Sequence, residues 1–157
     1  MEKFSNNLIP WIGKTAKMMG MLMNERFLQK GVNLTHIQCL LLGRLHQQDG
    51  QLQKELAFLT GRDKTSLGRL LGTMERKGFI TRISASDDKR AKQVFITKSG
   101  REAYLNGFPL VKSTIEEAQH GIPQEKLDMA IEVLQHIQKN INQMDEGEES
   151  KPSSCYS

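Results

Sequence analysis

Apolar residues recur along this chain at helical spacing in six stretches, and at strand-like spacing in two. From residue 4 to about residue 30, Phe4, Leu8, Trp11, Ile12, Met18, Met19, Leu22 and Met23 supply the apolar faces of a helix. Pro10 sits near its start, where a missing N–H costs little, and Gly31 ends it. In "LTHIQCLLLGRLH" the spacing of Thr35 and Gln38 is that of a capping box, so a second helix begins there. Ile37, Leu40, Leu41 and Leu45 form its expected buried stripe, and "QDG" closes it. A short helix over Gln53–Leu59 turns Leu56 and Ala57 inward. Asp63 then caps a helix reaching Lys77, with Leu67, Leu70, Leu71 and Met74 on one line.

The opposite line of that helix holds Thr65, Arg69, Gly72 and Arg76, with Ser66, Gly68 and Thr73 beside it. Gly68 and Gly72 each weaken a helix by about 1 kcal/mol relative to Ala. Their place on this face suits close backbone approach to a partner, and simple tolerance explains them equally well. "FITRI" and "KQVFI" read as two short strands joined by "SASDDKRA". Thr97 caps a long helix over roughly 98–119. Gly121 and Pro123 separate it from a last helix over roughly 123–143, where Leu127, Ile131, Leu134, Ile137 and Ile141 form a near-heptad stripe. The tail, residues 146–157, is acidic and then Ser/Pro-rich, a composition expected to be disordered.

Charge sharpens this picture more than overall composition does. Residues 62–101 hold eleven Lys/Arg against four Asp/Glu, while the rest of the chain holds eleven against fourteen. A basic middle between acidic flanks marks a local anion-binding face, although a merely solvated surface has the same look. No run of about 18 apolar residues exists, so no membrane partner is expected. The N-terminus lacks the layout of a signal peptide. A cytoplasmic protein with reduced thiols at Cys39 and Cys155 is the expectation.

Two short helices, a third with a polar outer face, then a hairpin: this order is that of a winged helix-turn-helix. The fold class is mainly α (α+β), and the expected partner is double-stranded DNA. A helix fits the major groove, and residues near its N-terminus reach deepest, here Thr65, Ser66 and Arg69. Arg69 suits a bidentate contact to guanine, whereas Lys64 and Arg76 suit phosphates. At the wing turn Asp88 stands two residues from Arg90 and is placed to orient it. An Arg on a narrow hairpin suits the minor groove of A·T-rich DNA. Arg82, Lys89 and Lys92 would lie near phosphates.

The stretches "LTHIQCLLLGRL", "KELA", "DKTSLGRLLGTMERKGFITR" and "DDKRAKQVFITKSG", with the two closing helices, resemble the MarR family of bacterial transcription regulators over roughly residues 8–143. Asp88, Lys89 and Arg90 occupy the place of the family's usual D-R-R or similar wing, and "ITKSG" at Ile96–Gly100 resembles its L-T-x-x-G. The resemblance implies a homodimer joined by the first and last two helices. It also implies repression of nearby genes, relieved by a small ligand, often phenolic, or by an oxidant. Residues 1–145 then form a single domain, with about 34–97 as the DNA-binding region and 4–30 and 98–143 as dimerisation helices. Gly68, where relatives often carry Thr or Ser, Gly72, often charged, and Leu52, in place of a capping hydroxyl, depart from the family pattern.

Met18, Met19 and Leu22, with His36, Cys39 and Leu40, are the candidate lining of a ligand pocket. Core packing is the commoner role of such methionines. Cys39 sits among leucines and reads better as a small buried hydrophobe than as an oxidation sensor. The histidines His36, His46, His120 and His136 form no compact ligand set, so neither metal nor cofactor is expected. No nucleophile–base pair or paired-carboxylate motif points to an enzyme. The alternatives to a ligand-released repressor are a constitutive or activating regulator, a redox-responsive repressor, and a winged-helix module that binds an acidic protein.

Overall fold

The computed structural model of the chain describes residues 6–85 and 88–149, with side chains at 85, 88–91 and 147–149 outside that description. Two compact units divide the chain, Met1–Ile115 and Glu116–Ser157. The first opens with α1, Leu8–Gln29, whose start is fixed by Asn7 Oδ1 accepting the Ile9 N–H at 3.0 Å. It ends where Gly31 turns left-handed (φ 67°), letting Val32 N–H reach the Phe27 carbonyl at 2.9 Å.

The capping box of α2, His36–Gln47, forms as its sequence predicts, with Thr35 and Gln38 exchanging side-chain-to-backbone bonds of 3.1 and 3.3 Å. After β1, Gln51–Leu52, comes α3, Gln53–Thr60, where Glu55 accepts the Leu52 N–H in place of a capping hydroxyl. Then α4, Lys64–Arg76, starts at Asp63, whose carboxylate accepts the Ser66 N–H at 2.7 Å. The strands β2, Ile80–Ala85, and β3, Asp88–Ile96, complete an antiparallel sheet in the order β1–β3–β2. The helix α5, Lys98–Ala118, follows Thr97, whose hydroxyl accepts the Gly100 N–H at 3.0 Å and donates to the Gly78 carbonyl at 2.6 Å.

The core of this unit is continuous. Leu41, Leu42 and Leu45 of α2, Leu56 of α3, Leu67, Leu71 and Met74 of α4, and Ile80 and Val94 of the sheet are all buried. Gly100 lets α5 cross the start of β2, since a Cβ there would run into the Phe79 carbonyl oxygen. The second unit is built on α6, Gln124–Glu149, where Ile131, Val133 and Ile141 are exposed.

Three expectations need correcting. Leu40, expected in the buried stripe of α2, is exposed, and Gln38, Cys39 and Leu42 are buried beside Leu41 and Leu45. Three consecutive leucines cannot share one stripe, so tertiary packing selects among them. The hairpin strands are longer than "FITRI" and "KQVFI": backbone pairing continues through Ser84↔Lys92 to Ala85↔Asp88, with an irregularity between Ser84 and Ala85. Finally, α6 runs to Glu149, past the expected helix end near residue 143. The tail beyond it, with Cys155, lies outside the described residues.

Candidate nucleic-acid interface and adjoining cavity

On the outer side of α4, Lys64, Thr65, Arg69 and Arg76 are exposed, while Ser66, Gly68 and Thr73 are half-buried. Inward, Leu67, Leu71 and Met74 lock the helix to the core at no more than 1% exposure, so the outer face is presented on a rigid support. Several groups on that face are pre-positioned. Arg62, in the turn before the cap, donates to Ser66 Oγ at 2.8 Å. Arg76 donates to Thr73 Oγ1 at 3.1 Å, and Thr73 Oγ1 donates to the Arg69 carbonyl at 3.1 Å. A shallow groove of about 280 Å³ is lined by Arg62, Ser66, Arg69, Leu70 and Thr73. Nothing lies within 4 Å of where a Gly68 Cβ would stand, so no intramolecular contact demands a glycine there.

The predicted phosphate cations divide into two kinds. Lys92 is exposed. Arg82 is half-buried and paired with Glu75 of α4 at 3.2 Å. The hydrogen bond from Arg82 holds the Glu75 carboxyl below the usual carboxylate range. Asp88, Lys89 and Arg90, expected at the wing turn, instead open β3, and their side chains lie outside the description. Arg62 was missed in the sequence because it read as part of a "TGR" turn.

A second feature lies on the other side of α2. A cavity of about 590 Å³ is bounded by Met19, Gly20 and Met23 of α1, Cys39, Leu40 and Gly43 of α2, and Tyr104, Phe108 and Val111 of α5. His36 and Arg44 add nitrogen groups to a lining that is otherwise largely apolar. Gly43 admits the Tyr104 ring, which would stand 3.0 Å from an added Cβ. Tyr104 also stacks obliquely on His46 and Phe108, with centroids at 5.2 and 5.5 Å. Of the residues expected to line a pocket, Met19, His36, Cys39 and Leu40 do so. Met18 is exposed and Leu22 half-buried, and neither lines this cavity, because α1 turns them to other faces. The α5 contributors had no sequence signal, since they lie some sixty residues from α2.

Burial pushes the Cys39 thiol up to about 11, leaving little thiolate at neutral pH. Desolvation, then the nearby Cys39, raises Tyr104 above the ordinary phenol value. Among the described residues, no group of three or more His, Cys, Asp or Glu side chains is placed to hold a metal, and no helix is long and apolar enough to cross a membrane.

The profile of the MarR family matches residues 34–92, from the approach to α2 into β3. The chain is 29% identical over 140 residues to YybA of Bacillus subtilis strain 168, an uncharacterised HTH-type transcriptional regulator, covering 87% of this chain and 89% of that one. Its fold is similar to that of the transcriptional regulator SlyA, with a TM-score of 0.75 at 25% identity over 87% of this chain and 95% of SlyA. CouR from Rhodococcus jostii RHA1, solved with p-coumaroyl-CoA, gives a TM-score of 0.73 at 20% identity over 87% and 95%. Residues 34–92 thus match the MarR family, and the fold of the chain is similar to that of winged helix-turn-helix regulators of that kind. YybA and SlyA are both named as transcriptional regulators, and neither is named as an enzyme.

Proposed function

We propose that the protein is a cytoplasmic homodimeric repressor that holds a pseudopalindromic DNA site and releases it when a small aromatic ligand fills the cavity between α1, α2 and α5. The observation that carries the reading is the outer face of α4. There Thr65 and Arg69 stand exposed on a helix whose inner stripe is sealed in the core, with Ser66 held by Arg62. This geometry suits the major groove, with Arg69 on a guanine and Lys64, Arg76 and Lys92 near phosphates. Arg90 and Lys89, with Asp88 beside them, serve the minor groove and its flanking phosphates.

Dimerisation gathers the exposed apolar residues of the first and last two helices, among them Ile9, Leu105, Ile131 and Ile141. Two reading helices must then lie about 34–36 Å apart to enter successive major grooves. The cavity beside α2 supports a switch: a guest that binds better when α2 has moved favours the released state by its differential affinity. The p-coumaroyl-CoA held by CouR favours a phenolic guest.

Selection of bound sequences from random DNA tests the reading and should recover a two-fold symmetric site. Recovery of no site, with equal salt-sensitive binding to every duplex, would leave a non-specific polycation. A thermal-shift screen of phenols, oxidants and zinc then tests the switch, because a ligand that binds the folded state raises its melting temperature. No response to any of them would favour a constitutive regulator.

A further inference from the structure

The first turn of α2 is bonded in two directions. On one side, Asn24 Oδ1 of α1 accepts the His36 backbone N–H at 2.7 Å and stands 3.1 Å from His36 Nδ1. On the other, Gln38 Oε1 accepts from Lys77 Nζ, just past the end of α4, at 3.2 Å. Because Asn24 Oδ1 is an acceptor in both contacts, His36 carries its proton on Nδ1 and leaves the Nε2 lone pair bare. That edge of the ring lies on naked α1 backbone: a Cβ on Gly20 would stand 2.8 Å from Nε2. His36, Gly20 and Cys39 all line the cavity.

We propose that His36 is the positioning residue that transmits occupancy of the cavity to the reading helix, a step that rests on the ligand-release reading above. A guest entering over Gly20 displaces the ring, breaks the Asn24 contact and frees the first turn of α2 from α1. Gln38 and Lys77 carry that movement to α4. The charged group bearing on the ring is Arg62, the donor to Ser66 at the reading helix. Asn24 on α1 is neutral, and Cys39, one turn along α2, stays protonated. Burial and Arg62 hold the imidazole below its ordinary value, so the wild-type ring is neutral near pH 7.

The test uses the full chain and a duplex recovered by selection from random DNA. Gly20→Ala puts a methyl where the ring lies while favouring the helix, so folding is expected to survive. DNA affinity should fall about tenfold, with a shifted His36 ring signal in NMR spectra and an unchanged melting temperature. Asn24→Asp keeps size and acceptor but adds a charge that raises the ring's pKa. DNA affinity should then acquire a step between about pH 6 and 8 that wild type lacks and that His36→Gln abolishes. A Gly20→Ala protein with a displaced ring and wild-type affinity overturns the proposal, as does an Asn24→Asp pH profile that superimposes on wild type. If wild type itself binds no duplex, the DNA-binding reading has failed and not this one.

Discussion

Two helices of this chain carry apolar residues at similar spacing and meet opposite fates. On α4, Leu67, Leu71 and Met74 are at most 1% exposed, closed off by α2, α3 and the sheet. On α6, Ile131, Val133 and Ile141 remain 48–51% exposed. A period near 3.6 says that a face will be buried, and is silent about whether the cover comes from the same chain. The reading head is therefore expected to be stable on its own, whereas the last helix is expected, on the proposed dimer, to be covered by a second copy.

If the first region is self-sufficient, its defects should be severe and independent of protein concentration. Gly100→Ala is the strongest case, because the added methyl meets the Phe79 carbonyl, which is backbone and cannot swing aside. A loss of about 3 kcal/mol is expected in urea unfolding, the same at every concentration. A loss below about 1 kcal/mol would mean that α5 and β2 are less tightly joined than their contact indicates.

The second region should fail differently. Ile131→Glu combined with Ile141→Glu puts charges on residues already exposed in the single chain, so each protomer should keep its helical signal. Light scattering should show a monomer, and affinity for the selected site should drop about 100-fold, or about 2.7 kcal/mol, as one head is left to bind alone. A dimer of undiminished affinity would remove α6 from the interface.

The third change leaves both apolar faces intact and probes what α4 presents outward. Arg69→Ala should cost about 1–3 kcal/mol per protomer on the selected site and relax its sequence preference. Competition against random duplex distinguishes the roles: an equal loss on both would make Arg69 a phosphate contact.

How far the sequence reached follows from the range of the forces involved. Asp63, Thr35 and Thr97 announce helix starts because a cap bonds within three residues of itself. The inner stripe of α4 was legible for the same local reason. By contrast, β1 exists only because Gln51 and Leu52 pair with Val94 and Gln93, a partnership that two residues of sequence cannot signal. The burial of Cys39 was legible from its leucine neighbours, whereas the exchange of Leu40 for Leu42 in the core depends on where α1 and α5 lie. The cavity was half visible, through Met19, His36 and Cys39, and half supplied by Tyr104, Phe108 and Val111 from a distant helix. Arg62 and the Arg82–Glu75 pair show the same limit in charge: composition marks the basic region, and only geometry says which cations are already engaged.

That last pair gives the smallest effect. Glu75 is 42% exposed, so its bond to Arg82 adds about 0.5 kcal/mol or less to stability. Its folded-state pKa is depressed, so this contribution is present above the ordinary carboxylate value and is lost as pH falls through the lower folded value. Wild type and Glu75→Gln should thus differ slightly in urea unfolding at pH 7 and converge in acid. On DNA the sign reverses, because a phosphate no longer competes with the carboxylate for Arg82. The variant should bind selected and random duplexes a few-fold more tightly, and its log–log salt slope should steepen by about 0.9 for each Arg82 that newly reaches a phosphate. An unchanged slope would mean that Arg82 remains tied to α4, stiffening the junction of helix and wing rather than meeting DNA.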